Sequence, residues 1–336
     1  MDPDSVGAVD RVPHGSSDDP DLLDFSANTN PETPEGVREI YESALMDARS
    51  YPPEPPGDYR EAAAEYVDCD PAAVIPTPGG LAAIRLAVAT HVAPGDRVLL
   101  PAPSFGEYAR EVRLQGGDPA FVAHDRMTAA DPGEHALAVV CNPNNPTGDA
   151  YDPGALRAFA RRCREAETVL LADEAFLGFT EEPTLAGETG VVVARSLTKL
   201  FGLPGIRAGF AVATGTARER MLSARRAWNL GGPALAVGSH CMRSSGFVRE
   251  TRRRVRAERA RMREALSGRF GVNESDAPFL LLDVDDRDPA EVVATAREAG
   301  IAIRDATTFR GLDSHVRVAV RRPAENDRLL EVLGRV

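Results

Sequence analysis

Lys199 is the residue whose type is most informative about chemistry, because the chain contains no other lysine. Of the 39 lysine and arginine residues, 38 are arginine. Arginine can replace lysine where only a positive charge is needed, but its guanidinium stays protonated and cannot attack a carbonyl carbon. Lysine amines form Schiff bases with carbonyl compounds. Lys199 is therefore a candidate for covalent chemistry, and a chance surface lysine is the alternative.

Lys199 and two other polar segments have a spacing that suits a shared site. The segments 142–148 (Asn-Pro-Asn-Asn-Pro-Thr-Gly), Asp173 and 196–199 each follow a short apolar run. In parallel sheets the carboxyl ends of the strands meet at one edge, where ligands bind. The run 78–81 (Pro-Gly-Gly-Leu) precedes a helical pattern, and free N–H groups at a helix N-terminus suit a phosphate. Taken singly, these segments are also consistent with turns or a buried ion pair; together they predict one site.

The elements that must position these residues alternate along the chain. Apolar runs at 98–100, 120–122, 137–140, 169–172 and 191–193 predict strands, and helical patterns are predicted at 80–92, 105–115 and 153–166. Such alternation predicts an α/β fold with a mostly parallel central sheet covered on both faces. Beyond a helix at 217–229, a smaller α+β domain is expected, with these elements: helices at 247–267, 289–299 and 323–333, and strands at 279–282, 301–303 and 315–320.

The domain organisation follows from this pattern. Residues 1–35 are rich in Pro, Asp and Ser and predict an extended arm, residues 36–230 a large domain and residues 231–336 a small one. An arginine-rich helix near 249–263 could suggest a nucleic-acid surface, but interleaved glutamates favour a solvated helix face.

Composition limits the class of protein. The net charge of −12 argues against nucleic acid or an anionic membrane as partner. We expect a cytoplasmic protein, because the acidic start has no apolar signal core and no apolar run approaches a bilayer-spanning length. The scattered cysteines and histidines predict reduced thiols and no metal site. Acidity with almost no lysine suggests a hypothesis of adaptation to high salt, as in halophilic proteins.

In their order and spacing, these segments resemble the fold-type I pyridoxal 5'-phosphate enzymes, the aspartate aminotransferase superfamily, over nearly the whole chain. The resemblance implies that Lys199 bonds covalently to the cofactor and that Asp173 pairs with its protonated pyridine nitrogen. It implies that Asn145 bonds the cofactor's 3′-oxygen and that Phe105 stacks on the ring, with Tyr108 as the alternative. The implied phosphate ligands are Gly80, Leu81, Ser196, Thr198 and Arg207.

The same resemblance implies a homodimer with shared active sites, because Tyr51 would reach the phosphate of the neighbouring subunit's cofactor. A non-catalytic protein that binds the cofactor is disfavoured because the catalytic set is complete. Pro78 and the segment 80–83 depart from the usual residues of the phosphate turn. Binding through backbone N–H groups survives these changes.

Two related families compete, the threonine-phosphate decarboxylases and the histidinol-phosphate aminotransferases. The arm around His14 and residues 22–31, the segment 195–199 and the carboxyl-terminal run 303–330 resemble the decarboxylases. Phe176 favours them too, since the aminotransferases usually have tyrosine there. By resemblance, a group of residues surrounds the phosphate and carboxylate of a small phosphorylated amino-acid substrate: His14, Asn30, Arg304 and Arg317. A histidine in a disordered arm and a surface strand arginine are the alternatives for His14 and Arg317.

Overall fold

The computed structural model describes residues 1–335. Its larger sheet has seven strands, and their order across the sheet is β2-β8-β7-β6-β5-β3-β4. The seven strands are β2 (Val74–Thr77), β3 (Arg97–Ala102), β4 (Asp118–Ala123), β5 (Leu137–Cys141), β6 (Val169–Asp173), β7 (Val191–Ser196) and β8 (Gly209–Val212). The run from β7 to β4 is parallel, while β8 pairs antiparallel with both of its neighbours.

Helices cover both faces of this sheet because its strands are apolar on both sides. In β5, Ala138 and Val140 pack into one core cluster, whereas Leu137, Val139 and Cys141 pack into the other. This alternation follows from the two-residue period of a strand. The helices up to residue 243 are α1 (Pro3–Val6), α2 (Val37–Met46), α3 (Gly57–Val67), α4 (Gly80–His91), α5 (Glu107–Leu114), α6 (Pro153–Glu165), α7 (Leu197–Leu200), α8 (Gly215–Ala224) and α9 (Gly232–Arg243).

The carboxyl-terminal part forms a second sheet of four strands in the order β12-β13-β10-β9. Each strand of this sheet is antiparallel to the strands beside it. The remaining elements are α10 (Ser245–Leu266), β9 (Gly271–Val272), β10 (Phe279–Asp283), α11 (Pro289–Glu298), β11 (Ile301–Ala302), β12 (Arg304–Asp305), β13 (His315–Ala319) and α12 (Pro323–Leu333).

The amino-terminal segment is hydrogen-bonded to two carboxyl-terminal strands and to helix α5. Strand β1 (Leu23–Asp24) pairs in parallel with β11, and the Phe25 carbonyl accepts a hydrogen bond from Ala319 N–H at 2.9 Å. Near the chain start, Asp2 N–H donates to the Leu114 carbonyl at 2.8 Å. The predicted arm therefore also contains one helical turn and a short strand.

The predicted α/β fold with a mostly parallel sheet is confirmed. The helix predicted at 217–229 is wrong at its end, because α8 stops at Ala224. Arg225 is extended and Trp228 has a φ of 49°, and both bond to Glu54. The domain boundary at 230/231 remains a prediction, and α9, just beyond it, packs on α2 and α3. None of the helices within residues 1–335 is long and apolar enough to cross a membrane.

Candidate active site

Three neighbouring strands of the large sheet end at the same edge and bring the predicted polar segments together. Cys141 pairs in register with Asp173, and Asp173 pairs with Ala194. A cavity of about 370 Å³ opens beside these strand ends. Every site residue predicted from the sequence lines this cavity except Tyr51 and Asn30. The predicted residues that line it are His14, Gly80, Leu81, Phe105, Asn145, Asp173, Ser196, Thr198, Lys199, Arg207, Arg304 and Arg317.

Lys199 lies in the short helix α7, directly after β7, and its amine faces a cationic environment. The pKa of Lys199 is lowered from 10.5 to about 8, mainly by burial and also by repulsion from Arg317 and Arg207. Asp173 opposes this effect. At pH 7 roughly a tenth of the amine is therefore neutral, and attack on a carbonyl carbon requires this form.

Asp173 ends β6 with a fully buried carboxylate. Its Oδ1 accepts a hydrogen bond from Ala175 N–H at 3.0 Å, and its Oδ2 accepts one from the Tyr108 hydroxyl at 2.5 Å. Burial raises the pKa of Asp173, while both hydrogen bonds and the charge of Lys199 lower it. A buried carboxylate of this kind is stabilised by a cationic partner in the cavity.

An anion cradle lies where α4 begins. Gly79 has a φ of 92°, and a Cβ atom there would lie 2.7 Å from Arg207 Nη2, so glycine is required. A Cβ on Gly80 would already lie 3.0 Å from Ser196 Cβ. The hydroxyls of Ser196 and Thr198 are 2.8 Å apart. Free N–H groups at the start of a twelve-residue helix, two hydroxyls and a guanidinium together suit a phosphate.

Arg317 crosses from β13 to the loop after β5. Its Nη1 donates to Asn145 Oδ1, and its Nη2 donates to the Ser26 carbonyl at 3.1 Å. Burial lowers the pKa of Arg317, and the neighbouring Arg304 lowers it further, but a guanidinium stays charged at neutral pH. Arg317 therefore brings a buried positive charge to the cavity.

The amino-terminal arm passes over the cavity and is held from both sides. His14 Nε2 lies 3.1 Å from Glu107 Oε1 on α5. From β12, Arg304 donates to the backbone carbonyls of His14 and Pro13, both at 2.9 Å, and to Thr308 Oγ1 at 2.8 Å. Much of the hydrogen-bonding capacity of Arg304 is thus used to hold the arm.

The structure does not bring Asn30 to the cavity. Its Nδ2 donates to the Leu200 carbonyl at 2.8 Å, and its Oδ1 accepts from Arg254 at 2.6 Å. Asn28, two residues earlier, lines the cavity instead, and its buried Oδ1 has no hydrogen-bond partner among the described residues. The role of Asn30 near the substrate stays a prediction, and the local sequence pattern gave no reason to single out Asn28.

Tyr51 also lies away from this cavity. It borders a second cavity of about 320 Å³, its ring packs against Trp228 in a tilted arrangement with 4.7 Å between ring centroids, and it is 80% exposed. Its predicted contact across a dimer stays a prediction. Sequence reasoning missed Glu107, and it considered Tyr108 only for stacking. The sequence signal for Glu107 and for Tyr108 is only that each is a polar residue within one helical turn of Phe105.

The cavity fits pyridoxal 5'-phosphate by its chemistry. Lys199 offers an amine for the carbonyl carbon, Asp173 a carboxylate for the pyridine nitrogen, and the cradle around Arg207 a site for the phosphate. Phe105 offers an aromatic face, and Tyr108 lies behind the cavity wall rather than in it.

The chain belongs to the family Aminotransferase class I and II, which it matches over residues 20–333, and pyridoxal 5'-phosphate is its cofactor. It is 33% identical to a threonine-phosphate decarboxylase of Sinorhizobium sp, covering 94% of this chain and 92% of the relative. It is 30% identical to a histidinol-phosphate aminotransferase of Symbiobacterium thermophilum, covering 93% and 90%.

A solved structure has the same fold. The L-threonine-O-3-phosphate decarboxylase from Porphyromonas gingivalis superposes with a TM-score of 0.84 at 25% identity, and the match covers 93% of this chain and 98% of that one. The chain is thus an enzyme of the aminotransferase-like family with an aspartate-aminotransferase-like fold.

Proposed function

We propose that this enzyme is a lyase that decarboxylates L-threonine O-3-phosphate to (R)-1-amino-2-propanol O-2-phosphate and carbon dioxide, a reaction of cobalamin biosynthesis. The relative at 33% identity supports this choice. The competing function is that of a histidinol-phosphate aminotransferase or a related amino-acid aminotransferase, supported by the relative at 30% identity.

Phe176 is the observation on which the choice rests. It lies three residues after Asp173, lines the cavity, is only 4% exposed and packs edge-on against Phe279 at 5.1 Å. A phenylalanine cannot donate a hydrogen bond. Where the aminotransferases that the sequence resembles have a tyrosine hydroxyl, this cavity has an apolar ring. The proposed donor to the cofactor's 3′-oxygen is Asn145, held by Arg317.

The substrate anchors would decide which bond breaks. When bound, pyridoxal 5'-phosphate accepts the electrons of whichever substrate α-carbon bond stands perpendicular to its ring. We assign the two anionic groups of the substrate, its phosphate and its carboxylate, to Arg304, Arg317 and His14, which line one cavity. Charge-assisted bonds to these groups fix the orientation of the substrate. The proposed orientation places the bond to the carboxylate, rather than the bond to hydrogen, in the perpendicular position.

Lys199 is the proposed acid that completes the reaction. After carbon dioxide leaves, the α-carbon needs a proton, and Lys199 Nζ can hold one because its pKa lies at about 8. The arm around His14, held by Arg304 and Glu107, would keep water away from the reacting carbon. The role of Asp173 would be to keep the pyridine nitrogen protonated.

Three further assignments belong to the proposal. We propose a homodimer in which Tyr51 reaches the partner's cofactor phosphate, and 80% exposure of this tyrosine is compatible with that. We propose the domain division 1–35, 36–230 and 231–336. We also propose that the enzyme works in the cytoplasm and that its acidic composition reflects a salty environment.

The test compares two substrates on the holoenzyme. L-threonine O-3-phosphate should yield carbon dioxide and aminopropanol phosphate without converting the cofactor to its pyridoxamine form. Histidinol phosphate with 2-oxoglutarate should react far more slowly. Rapid amino transfer from histidinol phosphate, with no carbon dioxide from threonine phosphate, would contradict the proposal.

A control tests the site itself. The Lys199→Ala variant should lose the visible absorption band of the covalent lysine–cofactor linkage, because the only lysine of the chain is gone. A variant that kept this band would show that the covalent site lies elsewhere.

A further inference from the structure

A tyrosine outside the cavity donates a hydrogen bond to a carboxylate inside it. Tyr108 lies on α5 and Asp173 at the end of β6, and the Tyr108 hydroxyl donates to Asp173 Oδ2 at 2.5 Å. Tyr108 is completely buried and is not among the residues that line the cavity. Asp173, to which this hydroxyl donates, is therefore a route by which Tyr108 can act on the chemistry in the cavity.

The same ring also supports the proposed stacking residue. Phe105 lines the cavity, and Tyr108 meets it edge-on at 5.6 Å with the two ring planes at 87°. The Tyr108 N–H donates to the Phe105 carbonyl at 3.2 Å. Tyr108 thus contacts both groups proposed to hold the pyridine ring, the aromatic face and the carboxylate.

The hydrogen bond matters because a buried carboxylate is costly without donors. Its length is in the range of O–H···O⁻ bonds to an ionised acceptor. Burial raises the pKa of Asp173, and the Tyr108 hydroxyl is the strongest contribution that lowers it again. Burial and the neighbouring Asp173 and Cys141 raise the pKa of Tyr108 well above 10, so the hydroxyl keeps its proton and stays a donor.

The second oxygen of Asp173 has its own donor. Ala175 N–H bonds Oδ1 at 3.0 Å, so the carboxylate is fixed at both ends. A carboxylate held in this way has lone pairs left for a third donor, such as a pyridine N–H. Without the hydroxyl, the Oδ2 end would be free to rotate or to take up a proton.

We propose that Tyr108 is a positioning residue whose hydroxyl keeps Asp173 ionised and aimed at the pyridine nitrogen of the cofactor. The inference rests on the proposed pairing of Asp173 with that nitrogen. Without the hydroxyl, Asp173 is less often ionised and less well oriented, so it stabilises the protonated pyridine nitrogen less. The cofactor ring then carries less positive charge, and the lysine–cofactor linkage becomes more basic.

Tyr108→Phe tests this inference, because the ring and its contact with Phe105 are kept. The pH midpoint of the visible absorption band of the holoenzyme should rise by roughly one unit. Cofactor binding should weaken roughly tenfold to a hundredfold, the loss expected for one hydrogen bond to a charged group. Tyr59→Phe is the matched control, since the Tyr59 hydroxyl is equally buried but donates to the Gly209 carbonyl at 2.8 Å.

The control separates positioning from general stability. Both variants lose one buried hydroxyl and should lower the melting temperature of the cofactor-free protein, but the absorption midpoint of the holoenzyme should move only in Tyr108→Phe. An unmoved midpoint in Tyr108→Phe, or equal movement in both variants, overturns the inference.

Asp173→Asn distinguishes failure of this inference from failure of the proposed site. If Asp173→Asn leaves the spectrum unchanged, the pairing of Asp173 with the nitrogen is wrong and both proposals fall. If it alters the spectrum while Tyr108→Phe does not, only the role of Tyr108 falls. In the Asp173→Asn background, adding Tyr108→Phe should move the midpoint no further, because the hydroxyl acts through the carboxylate.

Discussion

Replacing Lys199 by methionine should stabilise the cofactor-free protein at neutral pH while abolishing its activity. Methionine has a similar length and no charge. The amine of Lys199 is held near Arg317 and Arg207 in a partly buried place, which disfavours its ammonium form. A neutral side chain removes this unfavourable interaction and should stabilise the fold. The lysine that the reaction requires therefore lowers the stability of the folded protein.

The magnitude follows from the pKa of Lys199, which falls from 10.5 to about 8. Each unit of pKa shift corresponds to about 1.4 kcal/mol, so at pH 7 the folded state bears a cost of at most about 3 kcal/mol. Water in the cavity reduces this cost, and we expect a gain of about 2 kcal/mol for Lys199→Met.

The pH dependence has a definite sign. Between pH 8 and 10.5 the unfolded chain binds more protons at this lysine than the folded chain does. The unfolding free energy of the wild type therefore rises with pH in this window. The advantage of Lys199→Met should be complete below about pH 8 and should shrink toward pH 10.5.

Urea unfolding of the cofactor-free proteins measures this directly, at pH 7 and again near pH 10. Lys199→Arg is the matched control, because it keeps the positive charge and should show no gain. A Lys199→Met variant that is no more stable than the wild type, or whose gain is the same at both pH values, would refute the reasoning.

Three other variants test separate parts of the site. Gly79→Ala should weaken cofactor binding at least tenfold in a fluorescence titration, because φ is 92° and the new Cβ would lie 2.7 Å from Arg207; unchanged affinity would exclude the cradle as the phosphate site. Arg304→Ala should speed tryptic cleavage after Arg11 several-fold, because two backbone carbonyls of the arm lose their donor; an unchanged rate would show that Arg304 does not hold the arm. Arg317→Lys should lower kcat/KM for threonine phosphate roughly a hundredfold, because lysine cannot reproduce the two-pronged contact; near-normal kcat/KM would remove Arg317 from the anchors.

The fold was predictable because its signals are local and repeated. Apolar strands such as 137–140 and 191–193 alternate with helical patterns, and the parallel sheet follows from that alternation. The segment 57–67 and the helix Gly232–Arg243 were missed. The first is rich in alanine and polar residues, and the second begins with Gly-Pro, so neither shows a strong apolar stripe.

The candidate site was predictable where residue type alone limits the chemistry. Asp173 and Lys199 come soon after predicted strands, and Arg207 lies eight residues after Lys199. The structure brings all three to one cavity. The choice between Asn28 and Asn30 was not predictable, because it depends on the distant Arg254, which bonds Asn30. The bond from Tyr108 to Asp173 joins residues 65 positions apart and depends on packing that no local pattern shows.

The central claim is the reaction, and carboxyl-labelled L-threonine O-3-phosphate tests it most directly. Incubated with the holoenzyme in heavy water, it should release its label as carbon dioxide, one molecule for each aminopropanol phosphate formed. The new amine should carry one deuterium at the former α-carbon, delivered from Lys199. Label retained in a keto acid, with the cofactor converted to its pyridoxamine form, would contradict the account and identify an aminotransferase.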